Sequence, residues 1–196
     1  MAATLFSMYL LAASVSTALV AGVMIGVLAA EHPWFATLMR PINDFLQTVP
    51  PFVLLIPLIM FFQIGDFSSF MLIVLYAIVP VIRYTEAGLG NVSPNQVEAG
   101  LLAGCTRWQL LWLVKLPAAR ADLLLGLNQA IMAALAMLSV AALVGSRGLG
   151  QEVYAALSAA DPGRGLLSGL AIAALAIMLE RLMRQAAQNY VSRRSP

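Results

Sequence analysis

The chain has 196 residues, of which 61% are hydrophobic and 10% charged, with a formal net charge of +2. Soluble domains run at about 45–50% apolar and about 25% charged residues, so this composition, with a mean hydropathy of +0.89, describes an integral membrane protein in a single domain. Scattered basic residues give no nucleic-acid footprint, and a single cysteine, Cys105, with a single histidine, His32, excludes an internal disulfide and any Cys/His metal centre.

Uncharged runs extend over Thr4–Ala30, Phe45–Ile64, Phe67–Ile82, Leu123–Ser146 and Gly165–Leu179. About 20 residues at about 1.5 Å each cross a hydrocarbon core of about 30 Å. The first, second and fourth runs meet that length, and the third and fifth reach it if Arg83, Glu180 and Arg181 snorkel to the interface. The first run is too long and too poor in flanking positive charge for a signal-peptide core, and is read as a retained span. The expected fold is thus all-α, with five spans at about 4–30, 45–64, 67–83, 122–146 and 165–182 and a polar loop at 84–121.

Five spans put the two ends on opposite sides. With the N-terminus outside, the inner segments hold Arg40, then Arg83, Arg107, Lys115 and Arg120, then Arg181, Arg184, Arg193 and Arg194, nine in all. Only Arg147 and Arg164 are left outside. The positive-inside rule therefore places the C-terminus and the 84–121 loop in the cytoplasm. Pro50, Pro51 and Pro57 fall in the second span and predict a broken or bent helix, serving either a pathway or packing. Gly145 and Gly148 read as a helix C-cap after the fourth span, and no internal repeat is present.

The polar loop contains SPNQVEAGLLAGCTRWQLLWLVKLP, residues 93–117. Ser93 followed by Pro94, with Gln96 three residues after the serine, predicts a capped helix start; Gly100 and Gly104 weaken and end that helix. Thr106 and Gln109 repeat the capping pattern, and a second helix is expected from Arg107 to about Lys115, stopped by Pro117. Trp108 and Trp112, one turn apart, suit a connector resting on the membrane surface. Small residues at Ala99, Gly100 and Gly104 suit a knob approached closely by another protein.

This stretch resembles the "EAA" loop of the permease subunits of binding-protein-dependent ABC importers: Glu-Ala-Ala, three residues, Gly, nine residues, Ile, one residue, Leu-Pro. Glu98, Ala99, Gly100, Gly104, Val114, Leu116 and Pro117 stand at that spacing, with Gly100 in place of alanine and Val114 in place of isoleucine. DFLQTVPPFVLLIP (44–57), GLNQAIMAALAMLSVAALVGSRGLG (126–150) and GLAIAALAIMLERL (169–182) are similar to the glycine betaine and proline betaine branch, the osmoprotectant permeases. Arg147 departs from the small residue common in that branch's glycine-rich turn.

The resemblance implies a type I importer permease in a bacterial inner membrane, paired with a second copy of itself. Its EAA helix would couple to cytoplasmic ATPase subunits that bind ATP and Mg, and an extracytoplasmic binding protein would deliver the solute. The chain carries no G-x-x-x-x-G-K-[ST] loop, and no nucleophile and base lie together inside a span, so it is read as a transport subunit and not an enzyme. A methionine-type or other amino-acid importer is the alternative within the class. An ATP-independent channel or carrier is the alternative outside it, and the lack of acids within the runs speaks against ion coupling. Polar residues within the spans are Gln47, Gln63, Asn128, Gln129 and Ser139, which ordinarily bond neighbouring helices. Asn128 and Ser139, with Met132 as an adaptable apolar wall, are the pathway candidates; an aromatic cage for a betaine cation is expected in the binding protein.

Overall fold

The structure is a computed structural model and describes residues 2–141 and 146–192. The chain forms ten α-helices there: α1 (Ala2–Glu31), α2 (Pro33–Thr48), α3 (Pro51–Phe62), α4 (Asp66–Gly90), α5 (Pro94–Leu102), α6 (Arg107–Gln109), α7 (Leu116–Ala118), α8 (Arg120–Ala141), α9 (Leu149–Ser158) and α10 (Pro162–Ser192), with a π-helical segment (Leu110–Lys115) joining α6 to α7. Residues 142–145, which end the expected fourth span and include Gly145 of the expected cap, lie outside the described residues, as do 193–196.

Three helices, α1, α4 and α8, form the centre. In a bilayer their association rests on close van der Waals packing rather than on hydrophobic exclusion, so small residues mark the contacts. Gly22 of α1 faces Val81 of α4, and Gly26 faces Thr85, so the two helices run parallel. Gly126 of α8 faces Tyr84, and Asp122 lies against Gly88, so α8 runs antiparallel on the next face of α4. Ser69 Oγ donates to the Ala141 carbonyl at 3.2 Å at the other end of that pair. Between these contacts lie Leu10, Leu11, Ala18, Ile73, Ala77 and Ala134, all buried.

The expected second span, 45–64, falls on two helices, α2 and α3, with a bend of 101° between them at the proline pair. Pro50 forces Val49 into an extended conformation, and Pro51 then begins α3 with φ preset for a helix. The Tyr76 hydroxyl donates to the Val49 carbonyl at 2.5 Å, which satisfies one backbone group freed by the break. Pro57 sits inside α3 without interrupting it. By length and composition α1, α4 and α8 each suffice to cross a membrane, and the α2–α3 pair suffices as one bent unit. The apolar part of α10 is Pro162–Met178, and the helix runs on to Ser192, past the expected end of the fifth span. Likewise α4 continues to Gly90, so the polar loop starts later than residue 84.

At the end of the bundle away from the loop, α9 and α10 form a hairpin. Asp161 Oδ1 accepts from the Gly163 and Arg164 N–H groups at 3.1 Å each and caps α10. Ser7 Oγ accepts from the Leu149 N–H at 2.9 Å, and Asp66 Oδ1 from the Arg147 N–H at 3.0 Å. The turn before α9 is thereby fixed to α1 and α4.

Candidate functional site

Residues 93–118 leave the bundle at the C-terminal ends of α1 and α4. The expected capping box of Ser93 and Gln96 is not formed: the Ser93 side chain makes no cap bond. The Gln96 N–H that the box would use bonds the Ser93 carbonyl instead, at 3.0 Å. The second box is present, with the Thr106 N–H donating to Gln109 Oε1 at 2.8 Å and the Gln109 N–H to Thr106 Oγ1 at 3.4 Å.

Between the two helices the chain turns at Gly104, whose φ is +83°. The Cys105 N–H bonds the Gly100 carbonyl at 3.1 Å and the Gly104 N–H the Leu101 carbonyl at 2.9 Å, the two bonds of a Schellman ending. A Cβ at Gly104 would meet nothing within 4 Å, so the corner points into open space. Gly100 is the opposite case: a Cβ there would lie 2.7 Å from Leu110 Cδ1 and 3.2 Å from Val114 Cγ2. Its missing side chain lets α5 lie against the π-helical segment, and the two positions that depart from the EAA pattern, Gly100 and Val114, adjoin across the corner.

Pro117 does not stop the second helix. Before it the backbone pairing slips by one residue, and the Leu116 N–H bonds the Leu111 carbonyl in the π register. The helix then passes through Pro117 to Ala118. Leu111 packs with Leu89 and Ala119, and Leu116 joins Val27 and Ala30 around them. Lys115 Nζ pairs with Glu31 Oε1 at 2.6 Å, and Arg120 Nε donates to the Pro117 carbonyl at 2.7 Å. The rear of the segment is thus braced on α1, α4 and α8.

Its front is bare. Glu98 and Ala99 are exposed, Leu116 and Pro117 half-buried, and Leu102 is 90% exposed. Leu102 was not singled out by the sequence; a leucine on a short helix whose inward face is taken by Gly100 was the available signal. Trp108 and Trp112 are also exposed, on the other half of the segment, with Leu113. The features behind the knob and connector readings therefore fall on different halves, the exposed small-residue face on α5 and the tryptophan face on the other half.

Asn128, Met132 and Ser139 follow one stripe of α8, as their spacing of four and seven residues requires. Asn128 is half-buried and its Oδ1 has no partner among the described residues, whereas Met132 and Ser139 are exposed in the single chain. Gln129 lies apart from them, in a cleft it shares with Gln47 and Tyr84. No group of three or more metal-ligating side chains occurs among the described residues.

Residues 22–195 match the family described as binding-protein-dependent transport system inner membrane component. The chain is 42% identical over 165 residues to the glycine betaine/carnitine transport permease protein GbuB of Listeria monocytogenes, covering 84% of this chain and 58% of that protein. It is 41% identical over 169 residues to the glycine betaine transport system permease protein OpuAB of Bacillus subtilis, covering 86% and 60%. The chain thus spans less than two thirds of the length of either. Among solved structures, an inward-facing MetNI methionine ABC transporter superposes with a TM-score of 0.79 at 21% identity, covering 97% of this chain and 94% of that one, which is a likeness of fold. The family match across most of the chain and the shared helical architecture lead to one conclusion: this protein belongs to the inner membrane components of binding-protein-dependent transport systems.

Proposed function

We propose that the chain is the five-span permease of an ATP-driven importer for a compatible solute, a glycine betaine, proline betaine or choline-like quaternary amine. The observation that carries this is the braced, outward-pointing α5 with the EAA spacing, in a chain whose relatives at 41–42% identity are named for glycine betaine transport. The methionine alternative rests on a fold likeness at 21% identity and is the weaker reading. Cytoplasmic ATPase subunits holding ATP and Mg grip α5 around Glu98, Ala99, Gly100 and Gly104. A binding protein delivers the solute at the α9–α10 end, and a second copy of the chain faces the Asn128, Met132 and Ser139 stripe across the pathway.

Transport by proteoliposomes tests this. Betaine uptake is expected only with permease, ATPase, binding protein and ATP together; equal uptake by the permease alone would make it a channel or carrier.

The orientation has its own support. Lys115 pairs with Glu31 at the C-terminal end of α1, whereas the Arg147 backbone N–H donates to Asp66 at the N-terminal end of α4, so the two residues stand at opposite ends of parallel helices. In a Cys105→Ser background, a cysteine at Ser158 is expected to react with an impermeant maleimide in intact cells, and one at Ser192 only after lysis. The reverse labelling would overturn the orientation.

A further inference from the structure

Between the end of α1, α2 and α4 lies a cleft of about 690 Å³, at the same end of the bundle as the 93–118 segment. Two crossed ion pairs span it. Arg40 of α2 reaches Glu86 of α4 at 3.1 Å, and Arg83 of α4 reaches Asp44 of α2. The pairs hold α2 against α4 ahead of the proline break that separates α2 from α3.

Asn43 also lines this cleft. It is 2% exposed, yet its side-chain amide makes no hydrogen bond to any described residue. Asn43 is not among the sealed, unpartnered polar side chains of the described residues, so what little its amide exposes opens on the cleft and can be met by a solute there. The surrounding charges are two arginines and two carboxylates, so the cleft has no net preference for a lone anion or a lone cation. Both pairs are partly solvent-exposed, and exposed pairs contribute little, so a ligand's charges can replace them at small cost. A small molecule with both charges matches what is present, and the volume is in the range of small-molecule sites.

We propose that this cleft is an inner binding site for the zwitterionic solute, on the release side of the pathway. Asn43 donates its amide to the solute carboxylate, Arg83 and Arg40 complete the carboxylate's surroundings, and Asp44 and Glu86 flank the ammonium. The proposal deepens the transport reading and rests on it for the identity of the zwitterion.

Equilibrium binding of radiolabelled glycine betaine to the purified full chain, without binding protein, tests it directly. Binding is expected to weaken about tenfold or more in Asn43→Leu, the fold-change for losing a hydrogen bond to a charged group, while Asn43→Ser retains part of it. Acetate and tetramethylammonium, which each carry one charge, are expected to displace betaine poorly. Elution as a folded species and co-purification of the ATPase show that a variant is intact.

Wild-type affinity in both Asn43 variants, or displacement by acetate as effective as by betaine, would overturn the site. Stronger displacement by glycerophosphoethanolamine than by betaine would assign the cleft to lipid headgroups and overturn it too. Uptake by the complete importer is measured in parallel. ATP-driven uptake with no betaine bound by the wild-type chain removes this site and leaves the transport function; Asn43-dependent binding without such uptake leaves the site and removes that function.

Discussion

Gly26→Leu is expected to lower the amount of folded protein in the membrane several-fold, the largest stability effect of any single change considered for this chain. Gly22 and Gly26 stand one turn apart on the face of α1 that meets α4. A Cβ at Gly26 would lie 2.6 Å from Thr85 Cβ and 2.9 Å from the Ile82 carbonyl oxygen. One at Gly22 would lie 2.7 Å from Val81 Cβ and 3.2 Å from the Ile78 carbonyl oxygen. The carbonyls belong to the backbone of α4 and cannot turn aside as a side-chain tip can, so a leucine must push the helices apart.

Overpacking a well-filled core costs about 1–3 kcal/mol. Here the separation would also unseat Ala18, Ile73 and Ala77, which are fully or almost fully buried between the same helices. A loss of that size changes cellular abundance several-fold. Gly169→Leu is the comparison, because a Cβ at Gly169 of α10 meets nothing within 4 Å. Immunoblots of membrane fractions and thermal unfolding in detergent are the measurements. Equal abundance and unfolding temperature for Gly26→Leu and Gly169→Leu would mean that α1 and α4 do not approach this closely.

That contact was hidden in the sequence for a physical reason. The 30 residues of α1 are apolar on all sides, so hydrophobic periodicity assigns it no inner face, and only the spacing of Gly22 and Gly26 marks one. The same holds for α8, where Gly126, Ala130 and Ala134 recur every four residues and are all buried. Polar segments were more legible, because their residues act on their own backbone. The Thr106–Gln109 box and the turn at Gly104 follow from local chemistry and are present.

Ser93 and Gln96 have the same pattern without the same outcome. A side-chain cap competes with the carbonyl of the same residue for one N–H, and there the carbonyl wins. Paired prolines gave the break in the second span but not its 101° angle, which depends on contacts with α4. Pro117 failed as a stop signal because a π register absorbs it, and that register is held by packing of Leu110 and Leu111 from outside the helix. The crossed ion pairs join α2 to α4 across some 40 residues of sequence, and no local spacing announces them.

The 93–118 segment carries the other large effect: Gly104→Asp is expected to leave the permease inserted and folded while abolishing ATP-driven uptake. Inside the chain the change is mild. The Cβ points into open space, and aspartate is among the few residues that enter the left-handed region, so the strain at a φ of +83° is about 1–2 kcal/mol relative to glycine. Towards a partner it is severe. The corner sits beside Leu102, the most exposed large apolar side chain described, and a carboxylate added there would be buried unpaired when an ATPase closes over α5. An uncompensated buried charge costs about 3–5 kcal/mol, which corresponds to more than about a hundredfold in affinity.

Glu98→Lys is expected to weaken the complex less, since it reverses one exposed contact and leaves the shape intact. Gly104→Asn separates charge from bulk: it keeps the turn and the added volume without the carboxylate, and intermediate uptake is expected. Co-purification of the ATPase and uptake in proteoliposomes are the two readouts, with membrane abundance as the check on folding. Normal co-purification and uptake in Gly104→Asp would mean that no partner closes over this corner, and that residues 93–118 serve as a connector braced on α1, α4 and α8 with its tryptophan face on the membrane.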